Sequence, residues 1–227
     1  MNDPTCNIVT LEDPVEYRID RITQIETHAK IGLTFAAGLR SILRQDPNVI
    51  LVGEIRDVET AEIAIQAAIT GHRVFSTLHT NDAVTAVHRL ITMRIEPVLI
   101  AAALGGVMAQ RLVRRLCESC KKEHAPNKAE KEILERNGKA GGRFFEPVGC
   151  KACFNTGYSG RLAVHEWLDT GRDIKELILN RASVDDLRAA AKSTGMKSLQ
   201  KDGVEKASHG LTSLMEVMRV THEEAGS

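Results

Sequence analysis

The chain has 227 residues, with 30 lysines and arginines balanced by 30 aspartates and glutamates, so its formal net charge is zero. This balance gives no support to nucleic-acid binding along the whole chain, and a composition with 43% hydrophobic and 26% charged residues is typical of globular proteins. No run of about 18 apolar residues is present, which excludes a spanning helix from this sequence. The first residues lack the basic start and apolar core of a secretory signal, so we expect a reducing, cytoplasmic setting.

The first hundred residues alternate short apolar runs with longer amphipathic ones. We predict strands at residues 7–11, 48–52 and 73–78 and helices at 34–44, 58–70 and 83–93, with Thr34 opening the first helix and Asp57 capping the second. Another helix is predicted to start at Pro97 and run to about residue 113. Such alternation is the signature of a parallel α/β sheet.

The amino-acid composition of the chain changes after residue 113. Residues 114–160 are rich in cysteine, lysine and glycine and are predicted to form a small separate unit with one charged helix at 129–136. A strand is predicted at 161–168, followed from about residue 173 by three or four short helices, two of them capped by Ser183 and Ser213.

Four of the five cysteines form two identical pairs, Cys117-x2-Cys120 and Cys150-x2-Cys153, separated by 29 residues. In a reducing compartment this spacing favours metal ligands over disulfides, and four thiolates form a closed tetrahedral site for structural Zn²⁺. The alternative is four unrelated reduced cysteines. A nucleic-acid-binding zinc ribbon is disfavoured because aromatic residues, on which bases stack, make up only 4% of the chain.

Polar, titratable residues follow three predicted strands: Glu12 and Asp13 after the first, Glu54 and Asp57 after the second, and His79 after the third. Each alone is explained as a helix cap. Together they predict a ligand site, because ligands bind outside the carboxyl ends of parallel strands.

The run Val49-Ile-Leu-Val-Gly-Glu54 has the form of a Walker B segment, in which an acid orients water or holds Mg²⁺ beside a phosphate. The matching G-x-x-x-x-G-K-[ST] loop is missing, since the sole Gly-Lys pair, Gly138-Lys139, is followed by alanine.

Several segments together closely resemble the secretion ATPase superfamily, the assembly ATPases of type II secretion and type IV pili. They are Thr10-Leu-Glu-Asp-Pro-Val-Glu-Tyr17, Arg44-Gln-Asp-Pro-Asn-Val-Ile-Leu-Val-Gly-Glu-Ile-Arg-Asp57, Thr70-Gly-His-Arg-Val-Phe-Ser-Thr-Leu-His-Thr-Asn81, the paired cysteines and Gly210-Leu-Thr-Ser-Leu-Met-Glu-Val-Met-Arg-Val220. The resemblance covers essentially the whole chain.

The resemblance implies a role for each matching residue. Glu12 and Asp13 correspond to the acidic Asp box, Glu54 to the Walker B glutamate and His79 to the His box. Glu12 and Glu54 would polarise the attacking water and organise Mg²⁺, while His79 would sense the γ-phosphate. Four arginines are available cations that could reach nucleotide, in part across a subunit boundary, or could simply be solvated: Arg18, Arg21, Arg40 and Arg44.

The resemblance also implies a partial RecA-like P-loop ATPase core at residues 1–113, a tetracysteine zinc-binding subdomain at 114–160 and a mainly helical region at 161–227. It implies ATP and Mg²⁺ as ligands of the full-length parent, a hexamer, and work in the cytoplasm and at the inner membrane, with the platform and cytoplasmic recruitment proteins as partners and no nucleic acid. One basic cluster is either a solvated face or a contact for anionic lipid or an acidic partner: Arg111, Arg114, Arg115, Lys121 and Lys122.

The sequence departs from the family in one respect, since the phosphate-binding loop and an N-terminal domain should precede residue 1. We therefore expect this chain alone to bind ATP very weakly. Two hypotheses remain, the C-terminal motor part of an assembly ATPase and a catalytically inactive zinc-bearing interaction module. A pilus retraction ATPase is a weaker third, because the tetracysteine motif resembles the assembly branch.

Overall fold

The computed structural model describes residues 2–139 and 141–221 and divides the chain into two compact units. The first unit comprises Met1–Thr80, Val84–Gly106 and Asp169–Ala190. The second comprises Asn81–Ala83, Val107–Leu168 and Ala191–Ser227.

A four-stranded, all-parallel sheet with the strand order β2-β1-β3-β4 organises the first unit. Its strands are β1 (Ile8–Glu12), β2 (Ile22–Glu26), β3 (Val49–Val52) and β4 (Arg73–Ser76). This architecture confirms the predicted parallel α/β sheet. The prediction missed β2, which pairs along the outer side of β1.

Six described helices belong wholly or mainly to the first unit. They are α1 (Phe35–Ile42), α2 (Val58–Ile69), α3 (Ala83–Thr92), α4 (Pro97–Ala103), α6 (Arg172–Leu179) and α7 (Val184–Ser193). The predicted caps are confirmed, since the Thr34 and Asp57 side chains accept hydrogen bonds from the Ala37 and Thr60 amides.

The core of the first unit lies between one face of the sheet and helices α1 and α2. Alternate residues of the central strands point into it, because successive side chains of a strand face opposite sides. The buried residues that pack there are Val9, Leu11, Leu39, Ile42, Ile50, Val52, Ala64 and Ala67. Gly38 allows the closest approach, since a Cβ at this position would lie 2.8 Å from a methyl carbon of Leu11.

The second unit contains two small strand pairs and short helices. Strands β5 (Gly106–Leu116) and β8 (Tyr158–Asp169) form one pair, and the antiparallel strands β6 (Lys122–His124) and β7 (Phe144–Glu146) form the other. Its helices are α5 (Lys128–Arg136), α8 (Leu199–Ser208) and α9 (Leu214–Thr221), and the last turn of α7 also falls in this unit. The main core joins α5, β7, α8 and α9 through Ile133, Leu134, Phe144, Val204, Ala207, Leu214 and Val217.

The predicted helix from Pro97 to about residue 113 is wrong in its second half. Helix α4 ends at Ala103, and the chain continues as strand β5 after Gly105. An apolar run does not by itself distinguish a helix from a strand, and the glycines at 105 and 106 mark the change.

The other predicted elements of the C-terminal half are confirmed: the helix near 129–136, the strand at 161–168 and four short helices from Arg172 onwards. The Ser183 and Ser213 side chains accept hydrogen bonds from the Asp186 and Glu216 amides, as expected of caps.

The two compact units group the residues differently from the three predicted ranges, whose functional assignment stays a prediction. All three ranges also include residues outside those described. Among the described helices, none combines the length and the apolar character needed to cross a membrane.

Candidate functional site

The predicted site residues follow three adjacent parallel strands, so they emerge at the same edge of the sheet. Glu12 is the last residue of β1, Glu54 follows β3 and His79 follows β4. Gly53 brings the end of β3 close to β1, since its amide donates to the Leu11 carbonyl at 2.7 Å.

Glu54 and His79 are in direct contact, at 2.7 Å between Glu54 Oε2 and His79 Nε2. The other carboxylate oxygen of Glu54, Oε1, accepts a hydrogen bond from Arg56 Nη2. The Glu54 side chain is 13% exposed, whereas those of His79 and Arg56 are 82% and 63% exposed. The carboxylate of Glu54 is therefore largely shielded from solvent, whereas its two partners, His79 and Arg56, face the solvent.

The environment keeps Glu54 ionised. The Arg56 hydrogen bond lowers the pKa of this carboxyl below its usual value, and the His79 hydrogen bond acts in the same direction against the opposing effect of burial. In turn, the hydrogen bond and charge of Glu54 raise the pKa of Arg56, with a smaller contribution from the negative charge of Asp13. Asp13 thus belongs to the same electrostatic group.

Glu12 has different partners. It accepts hydrogen bonds from the Thr10 hydroxyl and from Gln24 Nε2, the latter at 3.0 Å. Within residues 2–139 and 141–221, no hydrogen bond or ion pair joins Glu12 to Glu54, Arg56 or His79.

Glu12 instead lines a solvent-open cleft of about 290 Å³ on the sheet face opposite α1 and α2. The lining residues are Ile8, Thr10, Glu12, Glu16, Tyr17, Ile19, Ile22, Gln24, Val49, Leu51 and Phe75.

The predicted nucleotide-binding arginines are dispersed. Arg40 forms an exposed ion pair with Glu59, at 2.6 Å between Nη2 and Oε1. The other three are exposed and form no ion pair within the described part of the chain: Arg18, Arg21 and Arg44.

Sequence reasoning overlooked Arg56 as a site residue. It lies two positions after Glu54, between that acid and the Asp57 cap, in a charged stretch that reads as a solvated turn. The one feature of the sequence that could have indicated a role for Arg56 is its position two residues after Glu54, the acid of the Walker-B-like segment.

The four paired cysteines come together, with all four sulfur atoms within 4.8 Å of one another. The Sγ–Sγ distances are 3.9 Å for Cys117–Cys150 and 3.8 Å for both Cys120–Cys153 and Cys150–Cys153. A tetrahedral ion with metal–sulfur distances of about 2.3 Å separates its ligands by about 3.8 Å. The cysteines are therefore positioned to bind a metal ion.

Backbone amides also point at these sulfurs. The Gly149 amide donates to Cys120 Sγ, and the Gly157 amide donates to Cys153 Sγ. Both glycines have positive φ, and a Cβ at Gly157 would lie 2.4 Å from Pro147 Cβ, so only glycine fits this tight loop.

The surroundings of Cys120 and Cys153 affect the two thiols in opposite ways. Burial raises the pKa of Cys120 to about 11. For Cys153, burial also acts to raise the pKa, but hydrogen bonds from the Cys150 and Gly157 amides outweigh it and the pKa falls to about 6.

Comparison with known proteins relates this chain to one protein family. Residues 1–219 match the family model described as "Type II/IV secretion system protein". The chain is 49% identical over 219 residues to the type II secretion system protein HxcR of Pseudomonas aeruginosa, covering 96% of this chain and 43% of that protein. It is also 49% identical over 225 residues to the type IV pilus assembly ATPase PilB of Thermus thermophilus, covering 97% and 25%.

A solved structure with the same fold is that of the pilus retraction motor PilT with bound ADP. It has a TM-score of 0.67 and 27% identity, covering 96% of this chain and 53% of that one. The chain thus spans less than half the length of these curated relatives and about half of the solved chain.

Proposed function

Since the chain belongs to the type II/IV secretion system protein family, we propose that it forms the water-activating part of an assembly ATPase of type II secretion or type IV pili. The observation that carries the proposal is the ionised Glu54 carboxylate, in contact with His79 at the carboxyl edge of a parallel sheet. An acid at this position of an ATPase orients the attacking water.

In this proposal Glu54 holds the water and accepts its proton, while His79 responds to the γ-phosphate side of the site. Glu12, held by Gln24 beside the open cleft, and Asp13 are the carboxylates that would hold Mg²⁺. Bound Mg²⁺ supplies neutralisation of the phosphate charge.

The phosphate-binding loop has to come from outside these 227 residues, because no G-x-x-x-x-G-K-[ST] pattern occurs in them. The exposed side chains of Arg18, Arg21 and Arg44 suit contacts to nucleotide across a subunit boundary of a hexamer. Arg40 can take this role only by leaving Glu59.

We also propose that the cysteine cluster holds structural Zn²⁺. Zinc is the usual ion of closed four-thiolate sites, and the Gly157 amide aimed at Cys153 favours the deprotonated form of that cysteine. The proposal places the protein in the cytoplasm, peripheral to the inner membrane, working with platform and recruitment proteins of the secretion or pilus machine and without nucleic acid.

ATP hydrolysis tests the proposal in two chains, the 227-residue chain and the same chain extended at its N-terminus by a segment carrying the phosphate-binding loop. We expect turnover only from the extended chain. There, Glu54→Gln should reduce kcat at least about 100-fold while sparing nucleotide binding, an effect in the range of other preorganised catalytic groups.

Glu62→Gln is the matched control, because Glu62 is an exposed glutamate of the neighbouring helix α2, and it should leave kcat unchanged. Wild-type turnover in Glu54→Gln would refute the catalytic assignment. If the extended wild-type chain does not hydrolyse ATP, the alternative hypothesis of a catalytically inactive interaction module is favoured instead.

A further inference from the structure

Both oxygens of the Glu54 carboxylate are engaged by side chains of this chain. Arg56 occupies Oε1 and His79 occupies Oε2. A carboxylate has about four acceptor positions, so half of them are taken, and the guanidinium also places a positive charge beside the group. In this state Glu54 is a weaker base than a free carboxylate, although water activation calls for a basic one.

We propose that Arg56 is a positioning residue that restrains Glu54 through their ion pair and releases it by moving to Asp13. This inference rests on the proposed function and adds a residue that controls it. Arg56 acts through Glu54 and is not itself assigned a contact with nucleotide.

The geometry supplies the alternative partner. Asp13 directly follows β1, the strand beside β3, and its negative charge already acts on the Arg56 guanidinium. Since the Arg56 side chain is 63% exposed, its rotation requires no repacking of the core. Two further charged or titratable groups act on the Arg56–Glu54 ion pair. His79 acts on Glu54, and Asp13 acts on Arg56.

Arg56 is not needed to hold the backbone of this segment. The Ile55 amide donates to the Thr77 carbonyl at 3.0 Å, the Thr77 hydroxyl donates to the Gly53 carbonyl at 2.7 Å, and the Gly53 amide donates to Leu11. These bonds fix the end of β3 to both neighbouring strands. Removal of the Arg56 side chain should therefore leave the fold intact and change mainly the behaviour of Glu54.

The first experiment uses the 227-residue chain and needs no nucleotide. Carbon-detected NMR of glutamate carboxyl groups, with the Glu54 signal assigned through Glu54→Gln, measures the pKa of Glu54. In Arg56→Gln this pKa should rise by about one pH unit, as expected when an adjacent opposite charge is removed. Arg172→Gln removes another exposed, ion-paired arginine, the partner of Glu176, and should leave the pKa of Glu54 unchanged. An unchanged value in Arg56→Gln would overturn the proposal.

The second experiment measures kcat and KM against pH in the chain extended with the phosphate-binding loop. Arg56→Gln should raise kcat about threefold at alkaline pH, shift the acid limb of the kcat profile to higher pH by the amount seen in NMR, and leave KM within about twofold. Arg56→Lys, which keeps the charge, should fall between wild type and Arg56→Gln. Asp13→Asn removes the alternative partner and also a group of the nucleotide site, so it should lower kcat in both backgrounds, but by a larger factor in wild type than in Arg56→Gln, where no arginine has to be released.

Two outcomes of this second experiment would overturn the proposal. Loss of kcat at every pH with an unmoved acid limb would mean that Arg56 acts directly or structurally. A tenfold rise in KM at unchanged kcat would mean that it contacts nucleotide. If Glu54→Gln has no effect in the extended chain, the proposed function fails, whereas the NMR result still decides whether Arg56 restrains Glu54.

Discussion

Two glutamates of this chain, Glu54 in the first unit and Glu216 in the second, are both paired with arginine but in opposite surroundings. Glu54 stands at a strand end with partners that extend into solvent. Glu216 is 1% exposed and accepts hydrogen bonds from the side chains of Arg114 and Arg219 and from the Arg114 amide.

The partners of Glu216 are themselves held in place. The Arg114 guanidinium lies 4.1 Å from the centre of the Tyr158 ring, and the Tyr158 hydroxyl is 2.8 Å from that of Ser213, which caps α9. The Arg56 side chain is 63% exposed, and no aromatic ring within residues 2–139 and 141–221 stacks on it. The same ion-pair chemistry therefore gives a fixed structural link in one region and a rearrangeable group in the other.

Metal removal should produce the largest effect, because it strips the charge compensation from four clustered thiolates. We expect one Zn²⁺ per chain, with a free energy of binding of about 10 kcal/mol coupled to folding of the cysteine loops. Chelation, or Cys153→Ser, should unfold these loops, as followed by hydrogen exchange. Cys6→Ser changes the cysteine outside the cluster and serves as the control. A natively purified sample without bound metal would contradict this expectation.

Replacement of the buried Glu216 should have the next largest effect. Burial acts to raise its pKa, but the hydrogen bonds from Arg219 and Arg114 outweigh it and lower the pKa from 4.5 to about 2. At about 1.4 kcal/mol for each pH unit, this corresponds to about 3 kcal/mol of stability. Glu216→Gln should lower the free energy of unfolding by about this amount at pH 7 in urea titrations.

The pH dependence has a definite sign. Because the folded-state pKa of Glu216 is depressed, its stabilising contribution is complete above the unfolded value near 4.5 and disappears as the pH falls toward 2. The difference in stability between wild type and Glu216→Gln should shrink over that interval. If the difference in unfolding free energy between the two proteins stays constant from pH 7 to pH 2, the ion pairs of Glu216 are not its cause.

A smaller loss is expected at the start of helix α2. The Asp57 carboxylate accepts hydrogen bonds from the Thr60 amide at 2.8 Å and the Thr60 hydroxyl at 2.9 Å. Asp57→Ala should cost about 1 kcal/mol in unfolding free energy, whereas Asp57→Asn, which retains a capping oxygen, should cost less. Equal losses in the two variants would show that charge, and not capping, accounts for the effect.

The exposed pair Arg40–Glu59 should matter least. Both side chains are more than half exposed, so we expect Arg40→Gln and Glu59→Gln to change stability by less than about 0.5 kcal/mol each. A double-mutant cycle in urea measures their coupling. If the coupling free energy of Arg40 and Glu59 is as large as the effect of Glu216→Gln, exposed and buried ion pairs do not differ in strength as expected.

The sequence allowed the sheet and most helices to be predicted because their signals are local. Thr34, Asp57, Ser183 and Ser213 cap the helices that they were predicted to cap, and the three apolar strands line up in parallel. Strand β2 was missed because its pairing with β1 depends on tertiary contact. Strand β5 was taken for helix because its apolar start continues the pattern of α4.

The candidate site divides in the same way. Parallel strand ends predicted that Glu54 and His79 would approach each other, and the two cysteine spacings predicted a cluster of four sulfurs. The direction of an individual side chain has no such signal. Glu12 turns toward Gln24, and Arg56 folds back onto Glu54, through contacts that only the assembled sheet provides.

Strand β4 has a consequence for the behaviour of the isolated chain in solution. Among the described strands it pairs only with β3, so its other side presents main-chain groups that no described strand satisfies, and Phe75 on it is 42% exposed. Such an edge is a template for β-sheet extension by another polypeptide. The 227-residue chain should therefore show concentration-dependent aggregation, and a charged substitution such as Phe75→Lys should suppress it.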